Sequence, residues 1–332
     1  MERRDQGGGQ LVELADVLPD LEDLTTGLTT VFSTNGAGRD GLTVVHRERS
    51  PYSTTFPCEI VTCRFQDGSD LQLFCKYTGD IDYTGHGHRG KVEREIAVYR
   101  DVLRPLDLSQ PRFYGGYTDS RTGQDWLVLE HLNDSLRVQK VEGAVFMAAR
   151  WIAKFHVVNQ PRLGDFPATF LKTYDGEYYR GWARRTYEFA GSLHQRFPWL
   201  ATLCQRSGEL LPALTASPST VIHGEFYPKN ILFHRGRICP VDWESAAIAE
   251  GLIDLAFLTE GWGEDMSRRL ELEYQQARWP NGPPADFARL LDIARLYVHF
   301  RWLGDVASAT HAERMISRFE LLFSVGERLG VL

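Results

Sequence analysis

The sequence predicts an α+β protein with two lobes, the first built on an antiparallel β-sheet and the second mainly helical. The chain has 332 residues, and a single hydrophobic core stops growing at about 250 to 300 residues, so two lobes are expected. Strand-like runs joined by a hairpin signal fill the first part of the chain. Apolar residues at helical spacing dominate the rest, which favours helices there.

The composition is that of an ordinary globular protein, with 43% hydrophobic and 24% charged residues. No apolar run approaches the roughly 20 residues needed to cross a membrane, and the charged start lacks the apolar segment of a signal peptide, so we expect no membrane association. Five scattered cysteines form no CxxC pair, which indicates a reduced, cytoplasmic protein without zinc. A net charge of −7 and a pI near 5.8 argue against a nucleic-acid partner and permit cationic ligands.

An N-terminal extension, residues 1–35, is predicted to precede the first lobe. Glycines dominate positions 6–10, and apolar residues recur near helical spacing from Leu11 to Leu24. This pattern is typical of short amphipathic helices. We expect the extension to pack on the first lobe, residues 36–130.

Three antiparallel strands are predicted in the first lobe, at 42–45, 59–65 and 71–76. Asp67-Gly68 between the last two strands is a strong hairpin signal. Residues 125–130 read as a further, buried strand whose end forms the hinge between the lobes. The second lobe, residues 131–332, then begins.

A helix is predicted from Lys91 to Arg104. Its periodicity places Glu95 on the same side as Tyr99, whereas Glu93 faces solvent. Further helices are predicted at 141–158, 285–303 and 311–329, and His156 is interpreted as a core or cap residue.

The run from Gly85 to Lys91 fits both GxGxxG and GxxxxGK, two phosphate-loop patterns. Neither fits its context, because Val92 follows where a P-loop needs Ser or Thr, and the neighbouring strands are predicted to be antiparallel. We interpret the run as a flexible connector. His86, His88 and Arg89 remain minor candidates for contact with phosphate or substrate.

Residues 221–254 carry the densest set of polar side chains. Glu225 follows an apolar pair and a His-Gly step, and Asn230 lies five positions later. Two short strands at 231–233 and 238–241, joined by a turn at Arg235-Gly236, then lead to Asp242. This hairpin places Asn230 and Asp242 side by side, where an amide oxygen and a carboxylate can hold Mg²⁺ against phosphate oxygens.

The motif HGE with Asn230, followed by VDWE, resembles the catalytic core of the aminoglycoside phosphotransferase and choline kinase-like family. The resemblance implies a two-lobed protein kinase-like fold and transfer of the γ-phosphoryl group of ATP to a hydroxyl of a small molecule. It assigns Mg²⁺ to Asp242 and Asn230, and the catalytic carboxylate to Glu225. The family usually has Asp at that position, so Glu225 is one methylene longer.

The same resemblance implies the remaining nucleotide contacts. Lys76 would reach the ATP phosphates and pair with a carboxylate of the following helix, Glu95 rather than its rival Glu93. Ser53 and Thr54 occupy the position of the flap over the phosphates, although an ordinary polar loop explains them equally well. The backbone from Glu130 to Leu132 would bind adenine.

Two further residues are interpreted as braces of the catalytic loop, His223 through hydrogen bonds to its backbone and Asp254 from the segment after the metal site. Aromatic and acidic residues at 174–189, with Asp175 and Glu177 among them, are expected to form a partly exposed wall of the acceptor site. Together with similar residues near Trp262, they favour a cationic or glycosylated hydroxyl acceptor. The alternative function is a weak or inactive kinase-like protein that only binds nucleotide. The sequence does not predict the oligomeric state.

Overall fold

The computed structural model describes residues 18–34, 41–51, 56–79, 85–167 and 169–332. These residues form two compact units. The first lies within Met1–Asp82 and Arg112–His131, and the second within Tyr83–Pro111 and Leu132–Leu332. The helix that we predicted in the first lobe therefore has its contacts in the second unit.

The first unit is an antiparallel sheet with one helix. Its described elements are α1 (Leu21–Thr34), β1 (Thr43–Arg49), β2 (Cys58–Arg64), β3 (Asp70–Tyr77), β4 (Phe113–Thr118) and β5 (Asp125–Glu130). The strand order is β1-β2-β3-β5-β4, and each neighbouring pair is antiparallel. The predicted strands are confirmed, and so is the hairpin at Asp67-Gly68, where Gly68 has φ +80° and Phe65 N donates to Ser69 O.

Helix α1 covers this sheet with its apolar face. Leu24, Leu28 and Phe32 are buried against Trp126 and its neighbours, and the Phe32 ring lies 5.2 Å from the ring of Tyr114. Burial of each large apolar side chain stabilises the folded state by about 1.5 to 3 kcal/mol. The described part of the N-terminal extension thus packs on the first lobe as expected, while residues 1–17 lie outside the described residues.

The second unit is mainly helical, as predicted. Its described helices are α2 (Val92–Ala97), α3 (Ala144–Asn159), α4 (Gly176–Ala190), α5 (Leu200–Leu210), α6 (Pro212–Ala216), α7 (Leu252–Thr259), α8 (Glu264–Arg278), α9 (Phe287–Leu303), α10 (Ala307–Thr310) and α11 (Glu313–Arg328). A π-helical turn, Val98–Leu103, continues α2. Each helix that we predicted is present, with ends shifted by a few residues.

Six short strands complete the second unit, β6 (Leu136–Arg137), β7 (Lys172–Thr173), β8 (Ser219–Ile222), β9 (Ile231–His234), β10 (Arg237–Pro240) and β11 (Ala247–Glu250). They form two described sheets, in the orders β10-β9-β6 and β7-β11-β8. Helix α7 is buried along its whole length, and α9 buries most of its side chains. These two helices form the support on which the loop after β8 rests. None of the helices among the described residues combines the length and the apolar character that a membrane crossing requires.

Candidate active site

The loop that follows β8 makes a tight turn at Gly224, which has φ +80°. A Cβ atom at this position would lie 2.2 Å from the backbone oxygen of Ser245. Since L-residues avoid positive φ and no side chain fits so close to a backbone oxygen, the sequence needs glycine here. The turn brings Glu225 to the start of the segment that leads into β9.

Asp254, in the first turn of α7, fixes this loop by accepting hydrogen bonds from its backbone. Its carboxylate accepts hydrogen bonds from the backbone N–H groups of His223, at 2.7 Å, and Gly224, at 2.9 Å. It also lies 3.1 Å from the Nε2 atom of His156, whose Nδ1 atom lies 2.9 Å from the Tyr274 hydroxyl. The predicted bracing role of Asp254 and the core role of His156 are confirmed.

The His223 ring joins the loop to the strand that ends before Asp242. Its Nε2 atom lies 3.0 Å from the carbonyl oxygen of Val241, and its Nδ1 atom accepts the Glu225 N–H at 3.2 Å. The ring also packs 4.4 Å from the Trp243 ring. The prediction that His223 braces the loop through backbone hydrogen bonds is therefore confirmed.

The β9–β10 hairpin brings the predicted metal ligands together. Ile231 pairs with Pro240, and Arg235 and Gly236 form the turn with φ values of 48° and 78°. This is the left-handed geometry favoured in two-residue hairpins. Val241 N donates to Asn230 O at 2.9 Å, so Asn230 and Asp242 belong to neighbouring positions across the hairpin.

Asn230 is oriented by its own loop. Its Nδ2 atom donates to the carbonyl oxygen of Glu225 at 3.1 Å, so the amide oxygen is the atom that remains for a cation. Asp242 has φ 69° and ψ 61°, a left-handed conformation that costs free energy and that occurs often at functional sites. A carboxylate and an amide oxygen are hard donors of the kind that suits Mg²⁺.

The backbone just after Asp242 is fixed from two sides. Trp243 N donates to the Glu95 carboxylate at 3.1 Å, and the indole N–H donates to Pro240 O at 3.3 Å. The indole is buried and packs against Phe155. Glu95 therefore positions the turn that carries Asp242. Among the described residues, no cluster of three or more His, Cys, Asp or Glu side chains suits a metal ion.

Glu225 has a partner that sequence reasoning missed. Arg301, in the last turn of α9, donates from Nη2 to Glu225 Oε1 and from Nη1 to Gly224 O, the latter at 2.7 Å. Burial alone would lower the pKa of Arg301, but the Glu225 carboxylate and the nearby tyrosines outweigh it and raise the pKa well above its usual value. Arg301 is therefore a permanent buried cation beside the predicted catalytic carboxylate.

The chain is similar to a known enzyme family. A model of the phosphotransferase enzyme family matches residues 82–293, which is more than half of the chain. The chain belongs to the phosphotransferase enzyme family. The resemblance found in the sequence and the predicted enzyme class are confirmed. Comparison with curated protein sequences finds no match.

Solved structures similar to this phosphotransferase have low sequence identity and nearly complete coverage. A mutant of aminoglycoside 2'-phosphotransferase-IIIa in complex with GDP has a TM-score of 0.62 at 14% identity, covering 93% of this chain and 98% of that one. Choline kinase from Streptococcus pneumoniae has 0.56 at 12%, covering 90% and 98%. Macrolide 2'-phosphotransferase type I has 0.56 at 16%, covering 92% and 98%. These likenesses confirm the predicted kinase-like fold.

The predicted nucleotide contacts of the phosphotransferase lie in both units and remain predictions. In the first unit, Lys76 is buried near the end of β3, with its Nζ atom 4.9 Å from the centre of the Phe56 ring. Glu130 ends β5, and its carboxylate accepts the Arg112 N–H at 3.1 Å. In the second unit, Leu132 is buried, and Glu95 is buried whereas Glu93 is exposed. Ser53 and Thr54 lie outside the described residues.

Residues 85–91 pack against other parts of the second unit, so the expectation of a flexible connector is wrong for this run. His86 stacks on Tyr178 with ring centres 5.4 Å apart. Gly90 N donates to Glu244 O at 2.7 Å, and Arg89 Nε lies 3.6 Å from the Glu244 carboxylate. Burial, with Arg301 and Arg89 nearby, lowers the pKa of His88 well below its usual value, so its ring is neutral.

The expected partly exposed acceptor wall is also wrong for residues 174–182, because the rings of that segment lie in the core. The four large side chains Tyr174, Tyr178, Tyr179 and Trp182 are at most 4% exposed. The acidic groups are engaged nearby. Asp175 caps α4 by accepting the Tyr178 N–H at 2.7 Å, and Glu177 forms ion pairs with Arg180 and Arg184 at the surface. These residues stabilise the second unit and do not form an acidic pocket.

Replacing Gly224 by alanine should destabilise the phosphotransferase far more than the same change at Gly236. Both glycines have positive φ, which costs an L-residue about 1–2 kcal/mol. Only at Gly224 does the new Cβ meet a backbone atom, whereas the space around Gly236 is open. We expect a loss of about 2–5 kcal/mol for Gly224→Ala, measured by denaturant unfolding. Equal losses in the two variants would contradict the close contact.

The stability of the phosphotransferase should fall as the pH drops from about 6.5 to about 4. Burial lowers the pKa of His156 to about 4 and that of His299 to about 3, whereas an unfolded histidine titrates near 6.5. Between these values the unfolded chain binds more protons, so the free energy of unfolding decreases with falling pH. For His156 the contribution lost is on the order of 3 kcal/mol.

Denaturant unfolding midpoints measured across this pH range check the prediction. His156→Gln should flatten the pH dependence, because the variant has no imidazole to protonate. His46→Gln, on an exposed position of β1, serves as the matched control and should leave the slope unchanged. A slope that His156→Gln does not alter would show that other groups cause the acid sensitivity.

Proposed function

We propose that this phosphotransferase transfers the γ-phosphoryl group of ATP to a hydroxyl group of a small molecule, with Mg²⁺ as cofactor. The observation that carries the proposal is the fixed placement of Glu225, Asn230 and the strained Asp242 on one loop and one hairpin. The backbone of this loop and hairpin forms hydrogen bonds with three buried side chains, those of Asp254, His223 and Glu95. Such rigid support is what phosphoryl transfer requires, because its catalysis consists mainly of positioning and charge stabilisation.

Each residue has a defined part in this proposal. Asp242 and the amide oxygen of Asn230 would hold Mg²⁺, which when bound would offset the charge on the phosphate oxygens. Glu225 orients the acceptor hydroxyl and takes its proton. The hydroxyl oxygen forms a bond to the γ-phosphorus, the bond from that phosphorus to the β–γ bridging oxygen breaks, and ADP leaves.

The nucleotide contacts follow from the resemblance noted in the sequence. Lys76 would orient the phosphates, Ser53 and Thr54 would cap them, and the backbone at Glu130 and Leu132 would bind the adenine edge. The need for ATP, together with five cysteines that are all free thiols, supports a cytoplasmic location.

The acceptor is proposed as a class only. The structural neighbours act on aminoglycosides, choline and macrolides according to their names, and all three kinds of compound carry hydroxyl groups. Asp175 and Glu177, which had favoured a cationic acceptor, are engaged in a helix cap and an ion pair, so cationic and neutral acceptors enter the test equally.

The test is a screen for transfer with the purified chain, Mg²⁺ and either ATP or GTP. Aminoglycosides, amino alcohols, macrolides and sugars serve as acceptors, and mass spectrometry detects the phosphorylated product alongside the released diphosphate. We expect one acceptor class to give product in equal amount to the diphosphate. Nucleotide binding without transfer to any acceptor would instead favour the alternative, a protein that only binds nucleotide.

Replacing Lys76 by methionine should reduce transfer by about 10²-fold, the size of effect seen when one charge-stabilising donor is removed. Methionine is similar to lysine in length and removes the ammonium group, together with its contact with the Phe56 ring. Lys154→Met, on an exposed position of α3, is the matched control. Steady-state kinetics at saturating acceptor measure both variants, and an undiminished rate in Lys76→Met would remove Lys76 from the phosphate site.

A further inference from the structure

Arg301 is a buried charged residue that contacts the catalytic loop. The side chain is 4% exposed and sits in the last turn of α9, 5.2 Å from the centre of the Phe257 ring. Its two terminal nitrogens reach two consecutive residues of the catalytic loop, the carbonyl oxygen of Gly224 and the carboxylate of Glu225. A buried guanidinium is costly unless paired, so these two contacts account for its retention there.

The contact with Arg301 restricts the conformation of a side chain that is one methylene longer than aspartate. Glu225 has one more rotatable bond than the aspartate that the family resemblance leads one to expect, and free rotation would spread its carboxylate over several positions. The planar guanidinium donates along fixed directions and therefore fixes both the loop backbone and the side chain. Oε1 accepts the hydrogen bond from Arg301, which makes Oε2 the candidate atom to face an acceptor hydroxyl.

We propose that Arg301 is the positioning residue for Glu225, holding the longer side chain in the single orientation that serves transfer. The inference rests on the proposed function, in which Glu225 orients the acceptor hydroxyl. Arg301 lies beyond residues 82–293, the part of the chain that the family model matches. The match to the family model therefore does not include Arg301.

The kinetic test compares Arg301→Lys, Glu225→Gln and the double variant, using the acceptor that the screen returns. Lysine keeps the positive charge but cannot bridge two acceptors in fixed directions. We expect kcat to fall by about 10²-fold in Arg301→Lys, the cost of a displacement of about 1 Å, while KM for the nucleotide stays unchanged. Because Arg301 acts through Glu225, the double variant should be no slower than Glu225→Gln alone.

Arg295→Lys is the matched control. Arg295 lies on the same helix and forms ion pairs with Glu271 and Asp292, away from the catalytic loop. Its replacement should leave kcat at the parent value. A parent-like kcat in Arg301→Lys, or losses that multiply in the double variant, would overturn the positioning role.

A second measurement does not depend on activity. Denaturant unfolding midpoints of the same three variants form a cycle in which the shifts should be non-additive if the pair exists in solution. Additive shifts would overturn the proposal whatever the kinetics show. Undiminished transfer in Glu225→Gln would refute the role of Glu225, and with it the proposed mechanism, whereas multiplying losses would refute Arg301 alone.

Discussion

Replacing Asp242 by asparagine should abolish phosphoryl transfer while the protein stays folded. Asparagine has the same shape and tolerates the left-handed backbone at this position, φ 69°, about as well as aspartate. The change removes only the negative charge from the proposed cation site. We expect transfer to fall by about 10³-fold or more, since charge stabilisation is the main catalytic contribution in phosphoryl transfer.

The chain offers a matched control for this variant. Asp134 also has positive φ, 58°, but is exposed. Asp134→Asn should retain parent activity and parent Mg²⁺ dependence. Steady-state rates over a range of Mg²⁺ concentrations measure both variants. If Asp242→Asn kept the parent rate and the parent Mg²⁺ dependence, Asp242 would not be a metal ligand.

The parts of the fold and site that the sequence predicted correctly are those set by local chemistry. Gly68 in the first hairpin, and Arg235 and Gly236 in the second, have positive φ between two strands, and the register of each hairpin follows from the turn. The second hairpin brings Asn230 beside the residue before Asp242, with Val241 N bonded to Asn230 O at 2.9 Å. The adjacency of two residues on one hairpin can therefore be predicted from spacing alone.

The contacts that sequence reasoning missed join distant parts of the chain. Arg301 lies 76 positions from Glu225, and Glu95 lies 148 positions from the Trp243 N–H that it binds. The sequence around either residue contains no pattern that predicts its partner. One signal was nevertheless available, because Arg301 stands between the apolar residues Phe300 and Trp302 of a predicted helix, and a charge in such a place is rarely buried without a partner.

The aromatic residues of 174–182 were misinterpreted for a different reason. Tyr174, Tyr178 and Trp182 recur every four positions, which is the spacing of one buried helix face. Their acidic neighbours suggested a pocket, yet Asp175 sits at the position where a helix N-cap belongs and accepts the Tyr178 N–H. Period and capping chemistry together predict a core helix, and the structure has one.

Both Glu225→Gln and Glu225→Asp should slow transfer strongly, although the second change restores the residue that the family usually has. Glutamine cannot take a proton from the acceptor and leaves Arg301 buried without its carboxylate. Aspartate keeps the charge but is one methylene shorter, which withdraws the carboxylate by about 1 Å from the position where Arg301 holds it. We expect losses of about 10³-fold for glutamine and about 10²-fold for aspartate.

The loop of this protein is thus expected to be built for glutamate, and the aspartate variant is the sharper test of that idea. Glu271→Asp is the matched control, because Glu271 forms a comparable ion pair with Arg295 between α8 and α9. Steady-state kinetics with the identified acceptor, together with unfolding midpoints, separate lost geometry from lost stability. An aspartate variant clearly faster than the parent would show that the Arg301 contact does not compensate for the longer side chain.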